Sequence, residues 1–155
     1  MRQQEEDLQY MQEALILADS AALNREVPVG ALIVIDDEII ARGANSPIAN
    51  HDPSAHAEIL ALRQACLQIE NYRLTDATLY VTLEPCIMCM GAIIHARIKR
   101  LVFGAYDPKT GAAGSCYNIG DDNILNHRLE ITGGICEIEC GDMLRNFFRN
   151  KRKKH

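Results

Sequence analysis

Ala77-Thr78-Leu79-Tyr80-Val81-Thr82-Leu83 runs through Glu84-Pro85 straight into Cys86-Ile87-Met88-Cys89. The first seven residues are rich in β-branched, aromatic and aliphatic side chains and read as a strand. Pro85 ends it, and the segment from Cys86 to Ala96 reads as a short helix. A strand that hands the chain to a helix start is a unit of a layered α/β fold. The same alternation continues on both sides. Upstream, Ala31-Leu32-Ile33-Val34-Ile35 is apolar without alternation, as expected of a strand covered on both faces. Asp36-Asp37 reads as a tight turn and Glu38 to Ala41 as a second strand. Before them, Leu8, Met11, Leu15, Ala18 and Ala22 recur at steps of three and four, which predicts an amphipathic helix over 5–22. Gly43 to Pro53 reads as loop. A second helix is expected to begin near Asp52-Pro53-Ser54, capped by Asp52, with Ile59, Leu62, Cys66 and Ile69 as its apolar stripe. Downstream, Arg100 to Ala105 is a fourth strand, 107–126 a long Gly- and Asn-rich connection, 134–138 a fifth short strand and 143–151 a terminal helix. The expected architecture is α/β, a three-layer α/β/α sandwich around a mixed five-stranded sheet. One domain over 1–155 accounts for the chain, with a basic helix and tail at about 143–155.

Length and composition agree. A chain of 155 residues with 48% apolar and 24% charged residues fits one globular domain with a real core. The longest clean apolar run, Val29 to Ile35, is far short of a membrane span, so no membrane association is expected. No apolar segment follows the first residues, so no secretory signal is visible and a cytoplasmic setting with reduced thiols is expected for the six Cys. There is no internal repeat, no Walker phosphate loop and hence no nucleotide cofactor expected. Lys109-Thr110-Gly111 matches a β-lactamase fragment, but no Ser-x-x-Lys accompanies it. The net charge of −5 is unevenly spread: six of the 16 Lys and Arg fall between Arg145 and His155, a segment without an acid. An acidic body with a basic, Phe-bearing end fits a polyanionic partner, although a solvated helix end would read the same way.

His56, Cys86 and Cys89 are side chains that bind a borderline-soft metal, and Glu58 is a carboxylate beside them. Cys86 and Cys89 share a helix face at a helix start, where thiolates are stabilised. Zinc takes tetrahedral nitrogen and sulfur ligation, and structural sites close it with four protein ligands. The candidates for a fourth, Cys136, Cys140, His95 and His127, are poorly spaced, which leaves a position open for water. A redox Cys-x-x-Cys pair would leave His56 and Glu58 without a task. His56 and Glu58 diverge within a regular helix, so they converge only if the site lies at the helix end. His-x-Glu followed by Pro-Cys-x-x-Cys is the known signature of the zinc nucleobase deaminases, in which the Glu moves protons and is not a ligand.

Further motifs narrow the match. Arg25-Glu26-Val27-Pro28-Val29-Gly30-Ala31, His51-Asp52-Pro53, Asn71-Tyr72-Arg73-Leu74, Leu83-Glu84-Pro85-Cys86, Lys109 to Ser115 and Phe147-Phe148-Arg149 together resemble the bacterial tRNA-specific adenosine deaminases over nearly the whole chain. The resemblance implies a cytidine-deaminase-like fold, one Zn2+ per subunit, a homodimer, and a tRNA anticodon stem-loop as partner. It implies hydrolysis of the wobble adenosine of an arginine tRNA to inosine with release of ammonia. By position it makes His56, Cys86 and Cys89 the metal ligands and Glu58 the catalytic proton carrier. Asn45 is expected to hydrogen-bond the purine, with Val27, Pro47 and Ala57 around the base. Asp107, Lys109, Phe148, Arg149, Lys151 and Arg152 are expected at the RNA, Phe147 being buried and Phe148 turned outward. Cys116 to Gly120 departs from the pattern. Two other readings remain open: a deaminase of free guanine or cytidine, and a zinc module that binds RNA without chemistry.

Overall fold

The computed structural model describes residues 2–121 and 129–153. In chain order the elements are α1 (Arg2–Leu23), β1 (Gly30–Ile35), β2 (Glu38–Ala44), α2 (Pro47–Asn50), α3 (Ala57–Ile69), β3 (Thr78–Leu83), α4 (Ile87–His95), β4 (Arg100–Ala105), β5 (Glu130–Thr132) and α5 (Glu137–Lys153). Asp36 and Asp37, both with positive φ (51° and 61°), close the β1–β2 hairpin. Two left-handed residues in succession match the twist of antiparallel strands. β1 pairs antiparallel with β2 and β3, while β3–β4 and β4–β5 are parallel, giving the order β2-β1-β3-β4-β5. This is the expected mixed five-stranded sheet.

Side chains alternate across a strand, and here both faces are covered. Ala31, Ile33, Leu79, Val81, Leu101 and Phe103 pack under α3 and α4. Leu32, Val34, Tyr80 and Val102 pack under α1 and α5. Two apolar faces explain strands without a polar alternation, and each fully buried Leu, Ile or Phe contributes about 1.5–3 kcal/mol. Close approach fixes α3 on the sheet: a Cβ on Gly43 would lie 2.3 Å from the Ala57 carbonyl oxygen, so only glycine admits the start of that helix.

One polar cluster is buried between the layers. The Arg100 guanidinium grips Asp7 through two hydrogen bonds of 2.8 and 2.7 Å, and the Tyr80 hydroxyl donates to the same carboxylate at 2.7 Å. Arg100 also donates to Thr132 Oγ1 at 3.0 Å. The first helix is thereby tied to β3, β4 and β5.

Three sequence expectations need correction. The fifth strand lies at Glu130–Thr132, not 134–138, and Glu137 instead opens α5. Gly133 fits against Phe103, where a Cβ would sit 2.4 Å from its ring, and Gly134 has φ of 85°, so the chain turns there. Glu137 and Glu139 then suit a helix's first turn, where acids meet free N–H groups. The terminal helix is therefore six residues longer at its start than 143–151 predicts. Finally, α3 begins at Ala57, not near Asp52, because Asp52 spends its carboxylate on a local turn. It accepts the Ser54 N–H at 2.9 Å and the Ser54 hydroxyl at 2.7 Å. The region read as loop also contains the single turn α2.

Candidate active site

His56 is the N-cap of α3 and Cys86 the N-cap of α4, both with extended backbone (φ −72°, ψ 152° and φ −78°, ψ 177°). Cys86 follows the carboxyl end of β3, and two helix N-termini meet there, as ligand sites of open α/β sheets do. The N-cap role answers the geometric question of His56 and Glu58. His56 has not yet entered the helix, so the helical rotation that separates positions two apart does not apply to it. It and Glu58, in the first turn of α3, both line the same cleft.

His56 Nδ1 lies 3.7 Å from Cys86 Sγ and 3.5 Å from Cys89 Sγ, and all three ligand atoms fall within 4.8 Å of one another. One nitrogen and two sulfurs at this spacing fit a tetrahedral zinc ion with one position left over. Among the described residues no fourth His, Cys, Asp or Glu joins this group. Cys136 and Cys140 are buried in the α1/α5 layer and His95 is exposed at the end of α4. His127 lies outside the described residues.

The titration of these groups reports their crowding. A hydrogen bond from the Cys89 thiol, helped by His56, holds the Cys86 thiol down to about 4. Cys89 is pushed up, first by that same hydrogen bond and then by burial. The Cys86 hydrogen bond raises His56 against the opposing effect of burial. Glu58 is raised by burial. The residue is only 4% exposed, and among the described residues no Lys or Arg pairs with it. A buried carboxyl with a raised pKa, next to an open metal position, is suited to carrying a proton.

These groups open into a cleft of about 210 Å³ lined by Val27, Val29, Asn45, His56, Glu58, Leu83, Glu84, Cys86, Asp107 and Thr110. Asn45 accepts the Ala57 N–H at 3.2 Å through Oδ1, which points its amide NH2 away from that bond. Val27, Asn45 and Asp107 thus line the cleft. Pro47, the first residue of α2, and Ala57, fully enclosed in the core, do not line the cleft. Lys109, Phe148, Arg149, Lys151 and Arg152 are exposed, whereas Phe147 is half-buried. A larger groove of about 800 Å³ between α1 and α5, lined by Asp19, Ala22, Arg25 and Phe147 among others, holds none of these donor atoms.

Sequence reasoning left two buried acids without a role. Glu84, 2% exposed, binds the segment from Asp107 to Ser115. Glu26, also 2% exposed, accepts the N–H groups of Ile48 and Ala49 and thereby holds α2. A charged residue bordering an otherwise apolar stretch was the available signal in both cases.

Comparison with known proteins places this geometry. The sequence pattern of the MafB19-like deaminases matches residues 5–152. The tRNA-specific adenosine deaminase of Haemophilus influenzae is 54% identical over 149 residues, covering 96% of this chain and 86% of its own. That of Bacillus subtilis is 47% identical over 149 residues, covering 96% and 92%. Among solved structures, a tRNA:A34 deaminase studied for A-to-I editing at the wobble position superimposes with a TM-score of 0.85 at 43% identity, covering 88% of this chain and 99% of that one. A guanine deaminase from Nitrosomonas europaea, at 23% identity and a TM-score of 0.77 over 88% of this chain and 81% of its own, shares the fold.

Proposed function

Because the chain belongs to the MafB19-like deaminase family and, within it, to the tRNA-specific adenosine deaminases, we propose that it hydrolyses the wobble adenosine of a tRNA anticodon to inosine and ammonia. The observation that carries this reading is the meeting of His56, Cys86 and Cys89 beside the buried carboxyl of Glu58. These three residues hold one Zn2+ per subunit, which when bound supplies Lewis-acid activation of water near neutral pH. Glu58 accepts a proton from water as its oxygen adds to C6 of the purine, and delivers that proton to N1. It then moves the second proton from the new C6 hydroxyl to the amine, which leaves as ammonia while the oxygen remains as the carbonyl of inosine. Atoms balance with water alone. Asn45 donates its amide to the base, and Val27 shapes the wall beside it.

An adenine stacked in the anticodon loop cannot reach so recessed a carboxyl, so the nucleotide is splayed into the cleft. Asp107 and Lys109 contact the RNA at the rim, and Phe148, Arg149, Lys151 and Arg152 supply stacking and phosphate contacts. An arginine tRNA in the cytoplasm is the substrate, acted on by a homodimer. Exposed Ile87 and Met88 on the first turn of α4 support a second subunit's packing there. Among the described residues no helix is long and apolar enough to cross a membrane. A zinc module without chemistry has no use for Glu58, whose burial is costly without a function.

The test is incubation of the zinc-loaded protein with an anticodon stem-loop bearing a wobble adenosine. The expected product is inosine at that position with one ammonia released. Turnover of free guanine or cytidine, with the stem-loop untouched, would overturn the reading.

A further inference from the structure

We propose that Glu84 is a positioning residue that locks the loop 107–115 onto the metal-ligand segment, and so sets how tightly the cleft receives a polynucleotide. The inference rests on the RNA-substrate reading above. Glu84 is 2% exposed, and among the described residues no Lys, Arg or His forms an ion pair with it. Among the described residues its hydrogen-bond donors all come from one loop. Oε1 accepts the Asp107 N–H at 3.0 Å and the Ser115 hydroxyl at 2.5 Å; Oε2 accepts the N–H groups of Ala113 and Ser115, each at 3.0 Å. An acceptor-only group bonded this way compensates its burial without a cation.

Backbone bonds continue the seam on both sides. The Glu84 N–H donates to the Ala105 carbonyl, and the Ala112 N–H to the Pro85 carbonyl, each at 2.8 Å. The fit is close enough that a Cβ on Gly111 would lie 2.4 Å from the Glu84 carboxyl carbon. The loop is also internally tied, since Asp107 accepts the N–H groups of Lys109 and Thr110 at 3.1 Å and the Thr110 hydroxyl at 2.7 Å.

These bonds have a functional direction. Glu84 stands two residues before Cys86, and the loop it holds brings Asp107 and Thr110 to the cleft wall. With its oxygens occupied by four donors, Glu84 acts through the loop. Loosening it leaves His56, Cys86, Cys89 and Glu58 in place but spreads the orientations of the rim that meets the RNA. Such a change raises the cost of binding more than that of the chemical step, which is read as KM rather than kcat.

The experiment compares zinc-loaded wild type with Glu84→Gln, Gly111→Ala and Ser115→Ala on the wobble-adenosine stem-loop. Glu84→Gln keeps the shape but presents an amide NH2 to N–H donors. Gly111→Ala displaces the loop without changing charge, and Ser115→Ala removes a single donor. The expected result is a KM raised about tenfold or more for the first two, and less for the third, with kcat within about threefold and zinc content unchanged. Hydrogen exchange at the Asp107, Ala113 and Ser115 amides is expected to quicken in Glu84→Gln and Gly111→Ala. Unchanged KM in zinc-retaining variants, or a loss confined to kcat, overturns the proposal. Should Glu84→Gln not fold, the Gly111 and Ser115 variants decide. Should the wild type make no inosine, the functional reading falls by itself, and unchanged amide exchange would still refute the anchor.

Discussion

The boundary of α3 falls between His56 and Glu58, and the chemistry depends on that placement. His56 supplies its Nδ1 from outside the helix while Glu58 is held inside the first turn, so removing either has a separate consequence. Glu58→Ala is expected to keep a full complement of zinc and lose roughly 10²–10⁴-fold in turnover, the usual contribution of positioned proton transfer. Cys89→Ser is expected to lose zinc as well as activity. Metal analysis beside inosine formation separates the two; a Glu58→Ala protein with near-normal turnover would remove the proton carrier from the mechanism. The His56, Cys86 and Cys89 group and the buried Glu58 beside it were legible in the chain because their chemistry and spacing are local signals. Glu84 and Glu26 were not, because their meaning comes from donors 22–31 residues away. A buried acid looks like any other acid until the loop that saturates it is in view.

At the scale of elements, the four long apolar or amphipathic segments α1, β1, β3 and β4 declare themselves through periodicity and β-branched content. The segment 130–138 does not, since Gly133, Gly134 and the acids after them choose turn and helix over the apolar appearance of Gly134-Ile135-Cys136. The N-terminal cap of α3 was equally illegible: Asp52 is a good cap by type, and only the Ser54 turn diverts it. Between elements, Tyr80 offers a pH test. Burial, and then its hydrogen bond to Asp7, pushes the Tyr80 hydroxyl above its ordinary value of 10.0. The folded form therefore holds its proton where the unfolded form releases it. Its stabilisation is fully present below pH of about 10 and is lost as pH rises from there through the folded value. Tyr80→Phe is expected to cost about 1.5–3 kcal/mol at neutral pH, as a hydrogen bond to a charged partner does, and to flatten the alkaline decline. Denaturant titrations of both proteins between neutral and alkaline pH measure this, and parallel curves would detach Tyr80 from the decline.

Across the whole molecule, charge is segregated: the exposed end of α5 carries Arg149, Lys151, Arg152 and Lys153 on an otherwise acidic chain. Replacing Arg149, Lys151 and Arg152 with Ala is expected to weaken stem-loop binding and to make the logarithmic salt slope shallower by about 0.7–0.9 for each phosphate no longer neutralised. Zinc content and melting temperature should stay unchanged, because these side chains are exposed. Equal affinities and slopes in a salt series would return this helix end to a solvating role.

The Asp7–Arg100 pair also dictates an order of events during synthesis. Asp7 is made early but meets Tyr80 after 73 further residues and Arg100 after 93. At a ribosomal pace of about 5–20 residues per second, the first helix waits several seconds with its acid hydrated before a partner emerges. It cannot seat itself permanently on β1, because burying that carboxylate alone is unfavourable. Stable docking of the amino-terminal helix is therefore expected only once β4 is available to supply Arg100.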